Sequence, residues 1–140
     1  MRLNQATDYA FRAVLYLAKL EPGTIAEAQM IASREEIPMR FLLKIMRSLV
    51  QAGIVQSYRG VSGGFSLARP AREITLLDVV EAVEGPVSIN RCLLDQEYCN
   101  KHGTPYCPVH RALGSVQDAL RRELERYNFA ELAGKTLVKT

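Results

Sequence analysis

Cys92, Cys99 and Cys107 share one polar stretch with His110, in the spacing C-x6-C-x7-C-x2-H. Thiolates and imidazole are the soft and borderline donors that bind iron, iron–sulfur clusters and zinc. An odd number of cysteines does not close a disulfide framework. The chain shows no secretory signal and no apolar run long enough to span a membrane. The expected setting is therefore a reducing cytoplasm, where thiols stay available as ligands. Structural zinc sites usually carry a tight C-x2-C knuckle. None is present, and the loose gaps suit a loop folded around a larger cluster, although spacing alone leaves a cluster and a Cys3His zinc site both open. A metal-free reading, with thiols simply packed or exposed, is the alternative.

The elements around this segment give its context. The chain has 140 residues and a net charge of +3, which predicts one compact unit with an appended helix and makes the placement of the basic residues more telling than their number. Ala6, Ala10, Ala13, Val14 and Leu17 recur at helical spacing, predicting a helix over 4–20 that Pro22-Gly23 ends. A short helix follows over 26–33. Glu35-Glu36-Ile37 then turns into Pro38, expected at the first position of a third helix. In that helix Leu42, Ile45, Met46 and Leu49 form an apolar stripe, while Arg40, Lys44, Arg47 and Gln51 form another that holds three cations and no acid. An ordinary solvated face would look similar. Two short helices joined by a tight turn, however, are what presents a recognition helix to the major groove.

Gly53 sits where a helix-ending glycine belongs. Residues 54–58 and 65–68 then read as a β-hairpin joined by Arg59-Gly60-Val61-Ser62-Gly63-Gly64. A hairpin directly behind a helix-turn-helix is a wing, and an arginine at its tip is placed to enter a narrow minor groove. Thr75-x-x-Asp78 is a capping-box pattern opening a helix with Val79, Val80 and Val83 on its buried side, closed by Gly85-Pro86. After the cysteine segment a helix is expected over 109–127. Its stripe of Leu113, Val116, Leu120, Leu124 and Tyr127 fits a two-fold seam, or packing on its own domain.

These strings resemble the IscR/NsrR-like iron–sulfur transcription regulators of the Rrf2 superfamily. The resemblance rests on Met1-Arg2-Leu3 and Thr7-Asp8-Tyr9-Ala10, on Ile37-Pro38 with 41–45, on 57–60 with 63–68 in the wing, and on 74–80 with Glu84-Gly85. It implies a mainly α fold with a small β-hairpin: a winged helix-turn-helix over 1–86, a cysteine-rich cluster-binding loop over 87–108, and a dimerisation helix with its tail over 109–140. It also implies a homodimeric repressor on an imperfect palindrome of double-stranded DNA, and no enzymatic activity. The candidate DNA-facing residues are Arg40, Leu43, Lys44 and Arg47 on the helix and Tyr58, Arg59, Gly60 and Ser62 on the wing.

The cofactor it implies is an iron–sulfur cluster, of two or four irons, on Cys92, Cys99 and Cys107. Two positions match a fourth ligand in different members, Asp8 and His110, and one iron does not need both. His102, in a glycine-bearing turn, is a weaker third. Local alternatives exist for each, since an acidic residue in a first helical turn is favoured by the helix dipole and His110 falls at the start of a helix. A metal-free thiol regulator is the runner-up. A small cysteine enzyme or electron carrier is the alternative from another class, disfavoured because no cysteine is expected in a C-x-x-C or helix-N-terminal setting and no base or phosphate loop accompanies them.

Overall fold

A computed structural model describes residues 2–89, 93 and 107–134. Cys92, Cys99 and His102 lie outside the described residues. The elements are α1 (Gln5–Lys19), α2 (Ala28–Glu35), α3 (Met39–Gln51), β1 (Val55–Tyr58), β2 (Gly64–Leu67), a 3-10 turn (Ala71–Glu73), α4 (Leu76–Glu84), α5 (Pro108–Glu125) and α6 (Phe129–Leu132). The fold is thus mostly helical with one antiparallel hairpin, as the sequence predicts. Among the described residues no helix is long and apolar enough to cross a membrane.

The start of α1 shows how a few polar residues fix a boundary. Asn4 is the N-cap and its Oδ1 accepts from the Thr7 backbone N–H at 2.9 Å, satisfying one of the donors a helix start leaves open. Thr7 is fully buried, and its hydroxyl bonds the Glu84 carboxylate, which also accepts from the Asn4 N–H at 3.1 Å. The end of α4 is thereby tied to the beginning of α1.

The turn between α2 and α3 passes through Glu36 in the left-handed region, with φ of 55°. Pro38 proves to be the N-cap of α3 rather than its first helical residue: its ψ of 135° is extended, and its carbonyl accepts from Phe41 and Leu42. Leu42, Ile45, Met46 and Leu49 are buried as their spacing predicts, joining Val14, Leu17, Ile31 and Val79 in the principal core.

In the wing, Val55 pairs with Leu67 and Tyr58 with Gly64. The hairpin is anchored by a further bridge in which Ala26 and Phe65 exchange backbone hydrogen bonds of 2.8 Å each, joining the wing to the residues just before α2. Gly63 and Gly64 are required by space. A Cβ at Gly63 would collide with the Tyr58 carbonyl, and one at Gly64 with the Ala26 carbonyl.

The capping box at Thr75 and Asp78 forms as expected, each side chain bonding the other residue's backbone N–H. Two elements go beyond the sequence expectations, the 3-10 turn and α6. Asn128 caps α6 and bridges to Thr75, while the Phe129 N–H donates to the Ile74 carbonyl at 2.9 Å. Phe129 is 1% exposed and lies in the same core as α1 and α3. The chain beyond α5 therefore returns to the core built by the N-terminal helices.

Candidate nucleic-acid interface and metal centre

The buried stripe of α3 leaves its other face outward by geometry, since residues three and four apart share a side of a helix. Arg40, Leu43, Lys44 and Arg47 are all exposed there. Among the described residues the ion pairs are Arg12–Asp8, Arg69–Asp78, Arg72–Glu73, Arg121–Glu81 and Arg126–Glu123, so the cations of α3 are not neutralised by an acid. Tyr58, Arg59, Gly60 and Ser62 are exposed on the wing, and Val61 at its tip is 100% exposed. The Tyr58 hydroxyl accepts from the buried Ser66 hydroxyl at 3.3 Å, which orients the ring at the base of the tip. Helix and wing thus present uncompensated positive charge on two separate supports.

A chain of contacts that the sequence reading did not single out links α1 to this surface. Asp8, in the first turn of α1, pairs with Arg12 at 2.8 Å, and Arg12 also donates to the Glu35 carbonyl at 3.0 Å. The Arg12 guanidinium lies 5.3 Å from the Tyr9 ring centroid, Tyr9 lies 6.1 Å from Phe41, and Arg40 lies 5.2 Å from Phe41. These cation–π and tilted aromatic contacts connect Asp8 with a cation of α3. The i,i+4 spacing of Asp8 and Arg12 was the one available signal.

Of the candidate metal ligands, Asp8, Cys107 and His110 are described. Asp8 is exposed, its side chain retaining 56% of its accessible surface despite the pair with Arg12. Cys107 is half-buried and is the N-cap of α5; the expectation that no cysteine stands at a helix N-terminus is corrected, because Pro108 takes the first helical position and moves the start of the helix one residue earlier. His110 is half-buried in the same first turn. Among the described residues no three His, Cys, Asp or Glu side chains gather as a metal site. Cys107 and His110, three apart in sequence, both stand at the N-terminal end of α5. The donor set of three thiols with a carboxylate or imidazole fits an iron–sulfur cluster chemically.

The apolar stripe of α5 is covered only in part by its own chain. Leu120 and Leu124 are half-buried against Leu77, Val80 and Val87 of their own chain, and Arg121 is paired with Glu81 of α4. Leu113 is half-buried as well. Val116, by contrast, is 55% exposed, Val109 63% and Tyr127 40%. Arg126 donates to Glu123 at 2.7 Å, holding that carboxyl below the usual carboxylate range, and the Tyr127 hydroxyl donates to the same oxygen at 3.2 Å.

A protein-family profile described as an iron-dependent transcriptional regulator, Rrf2, matches residues 3–135. The structure is similar to that of CymR, described as the global cysteine regulator of B. subtilis, at 25% identity over 97% of this chain and 98% of that one, with a TM-score of 0.74. It is similar to CymR of Staphylococcus aureus at 27% identity, covering 93% and 96% of the two chains with a TM-score of 0.69. It shares the fold of T. potens IscR, at 20% identity over 100% of this chain and 92% of that one, with a TM-score of 0.74.

Proposed function

The chain belongs to the Rrf2 family of iron-dependent transcriptional regulators, and from that premise we propose that it is a cytoplasmic homodimer whose affinity for a palindromic operator is set by an iron–sulfur cluster. It is a DNA-binding regulator and not an enzyme. The observation that carries the proposal is the placement of the three-cysteine segment between α4, which packs on the DNA-binding core, and α5, whose outer face is unpartnered among the described residues. In this reading residues 1–86 form the DNA-binding unit, 87–108 the cluster loop and 109–140 the dimerisation helix and tail, and the regulator acts as a repressor.

Cys92, Cys99 and Cys107 would hold the cluster, with Asp8 or His110 completing it. When bound, a cluster supplies a redox- and ligand-sensitive centre whose weaker oxygen or nitrogen ligand leaves one corner reactive. The protein's part is conformational. Asp8 accepts from Arg12 through one carboxylate oxygen, so ligation of that carboxylate would compete with or polarise its pair with the guanidinium that sits on Tyr9 and, through Phe41, bear on the support of Arg40. On DNA, α3 enters the major groove, where Arg40, Lys44 and Arg47 meet base edges or flanking phosphates and Leu43 offers an apolar contact; the wing brings Tyr58, Arg59, Gly60 and Ser62 to the backbone and minor groove.

Anaerobically purified protein is expected to show visible absorption from iron–thiolate charge transfer, with iron and sulfide present. Colourless protein containing zinc would support a structural metal site. Colourless, metal-free protein whose operator affinity follows thiol oxidation would support the thiol-based reading, which the likeness to the oxidised form of S. aureus CymR also favours.

Two predictions concern the interfaces. Arg59→Ala is expected to weaken specific operator binding by about 1–3 kcal/mol at fixed salt, and loss of a phosphate contact from Lys44 or Arg47 to lower the salt slope by about one. A gel-shift titration with unchanged affinity for Arg59→Ala would remove that residue from the site. Val116→Glu is expected to shift sedimentation from dimer to monomer while leaving thermal stability of the monomer intact. Leu120→Glu is a poorer probe of the seam, because it places a charge against Leu77 and Val80 within its own chain.

A further inference from the structure

The outward face of α3 carries more than its cations. Met39 is the first residue of that helix and Leu43 stands one turn further on, and both side chains are exposed. Residues four apart share a side of a helix, so the two form one apolar strip. At about 100° per residue, Arg40, Lys44 and Arg47 run down the middle of the face, with this strip along one flank. Phe41 lies on the other flank, turned to Tyr9 of α1 with ring centroids 6.1 Å apart.

An apolar strip beside cations that have no acidic partner among the described residues needs a surface that pairs the same two properties. Duplex DNA has them: phosphates line its grooves, and thymine presents a C5-methyl group on its major-groove edge. The first turn of a recognition helix is also the part that meets base edges. Leucine has no hydrogen-bonding group and methionine only a weak thioether acceptor, so neither reads a base through strong hydrogen bonds.

We propose that Met39 and Leu43 read thymine methyl groups, which makes Met39 a specificity-determining residue beside cations that address phosphates and polar base edges. The proposal rests on α3 being the DNA-facing helix. Side chains one turn apart are separated by about 5–6 Å and base steps by about 3.4 Å, which places the thymines read in each half-site within about three adjacent base pairs.

The test uses a duplex selected from a random-sequence pool by the anaerobically purified full chain. That duplex is resynthesised with single thymines replaced by deoxyuridine, which removes only the methyl group. Binding is expected to weaken about fourfold for each methyl that a side chain covers, the equivalent of one buried methylene, at symmetric positions in the two half-sites. The double variant Met39→Ala with Leu43→Ala is expected to bind the thymine duplex more weakly and to be indifferent to deoxyuridine. Both positions are exposed and alanine favours helix, so this variant keeps its fold. Deoxyuridine tolerated at every position, or a loss that persists in the double variant, overturns the proposal; α3 stays on DNA in that case if Lys44→Ala still weakens binding. Unchanged affinity in Lys44→Ala overturns both readings. A double variant with full DNA affinity whose dimer dissociates in sedimentation assigns the strip to a second copy of the chain instead.

Discussion

Replacing Phe129 with alanine is expected to remove about 3–5 kcal/mol of folding stability, the range for deleting a large aromatic side chain from a packed core. The side chain is 1% exposed and sits in the cluster that includes Val14, Leu42 and Ile74. Its segment is also pinned by its backbone: Leu76 donates to the Tyr127 carbonyl at 3.0 Å and Phe129 to the Ile74 carbonyl at 2.9 Å. That double clasp limits how far α6 can collapse into the space left behind, which favours the upper part of the range. Urea denaturation at fixed protein concentration measures it. A loss below about 1 kcal/mol, the size of an ordinary surface-like substitution, would show that α6 is not part of the core.

Cys107→Ala is expected to abolish the visible chromophore while leaving the fold nearly unchanged. Cys107 caps α5 without a side-chain hydrogen bond, so alanine removes no capping interaction there. Its loss should therefore act through the metal rather than through stability, and Cys99→Ala should behave alike. The accompanying change in operator affinity is expected to be about 5- to 150-fold, equivalent to about 1–3 kcal/mol of coupling. Asp8→Ala and His110→Ala are expected to part company. The variant that removes the fourth ligand changes the spectrum, and the other leaves it as it was. Asp8→Ala also releases Arg12 from its ion pair, so its DNA-binding phenotype must be read beside its spectrum.

The readable parts of this sequence are those where one physical requirement dominates. Leu42, Ile45, Met46 and Leu49 repeat over enough turns to declare a period, and all four are buried. Gly63 and Gly64 mark the wing because backbone passes too close for any side chain. Thr75 and Asp78 announce a helix start because each can satisfy the other's backbone. Where several solutions fit one pattern, the sequence says less. The spacing of Leu113, Val116, Leu120 and Leu124 specifies an apolar stripe but not its neighbour, and the structure gives Leu120 and Leu124 to α4 while leaving Val116 outward. A helix as short as α6 completes about one turn and carries no period, so Phe129 reads as an isolated aromatic. The link from Asp8 through Arg12, Tyr9 and Phe41 joins separate helices and exists only once α1 and α3 are packed together.

The most direct measurement of the central claim is a titration of one operator duplex, at one salt concentration, with the same preparation of dimer before and after anaerobic removal of its cluster. Cluster control of DNA binding predicts affinities that differ by about 5- to 150-fold, with the difference lost in Cys107→Ala. Equal affinities for the loaded and cluster-free dimers would contradict it.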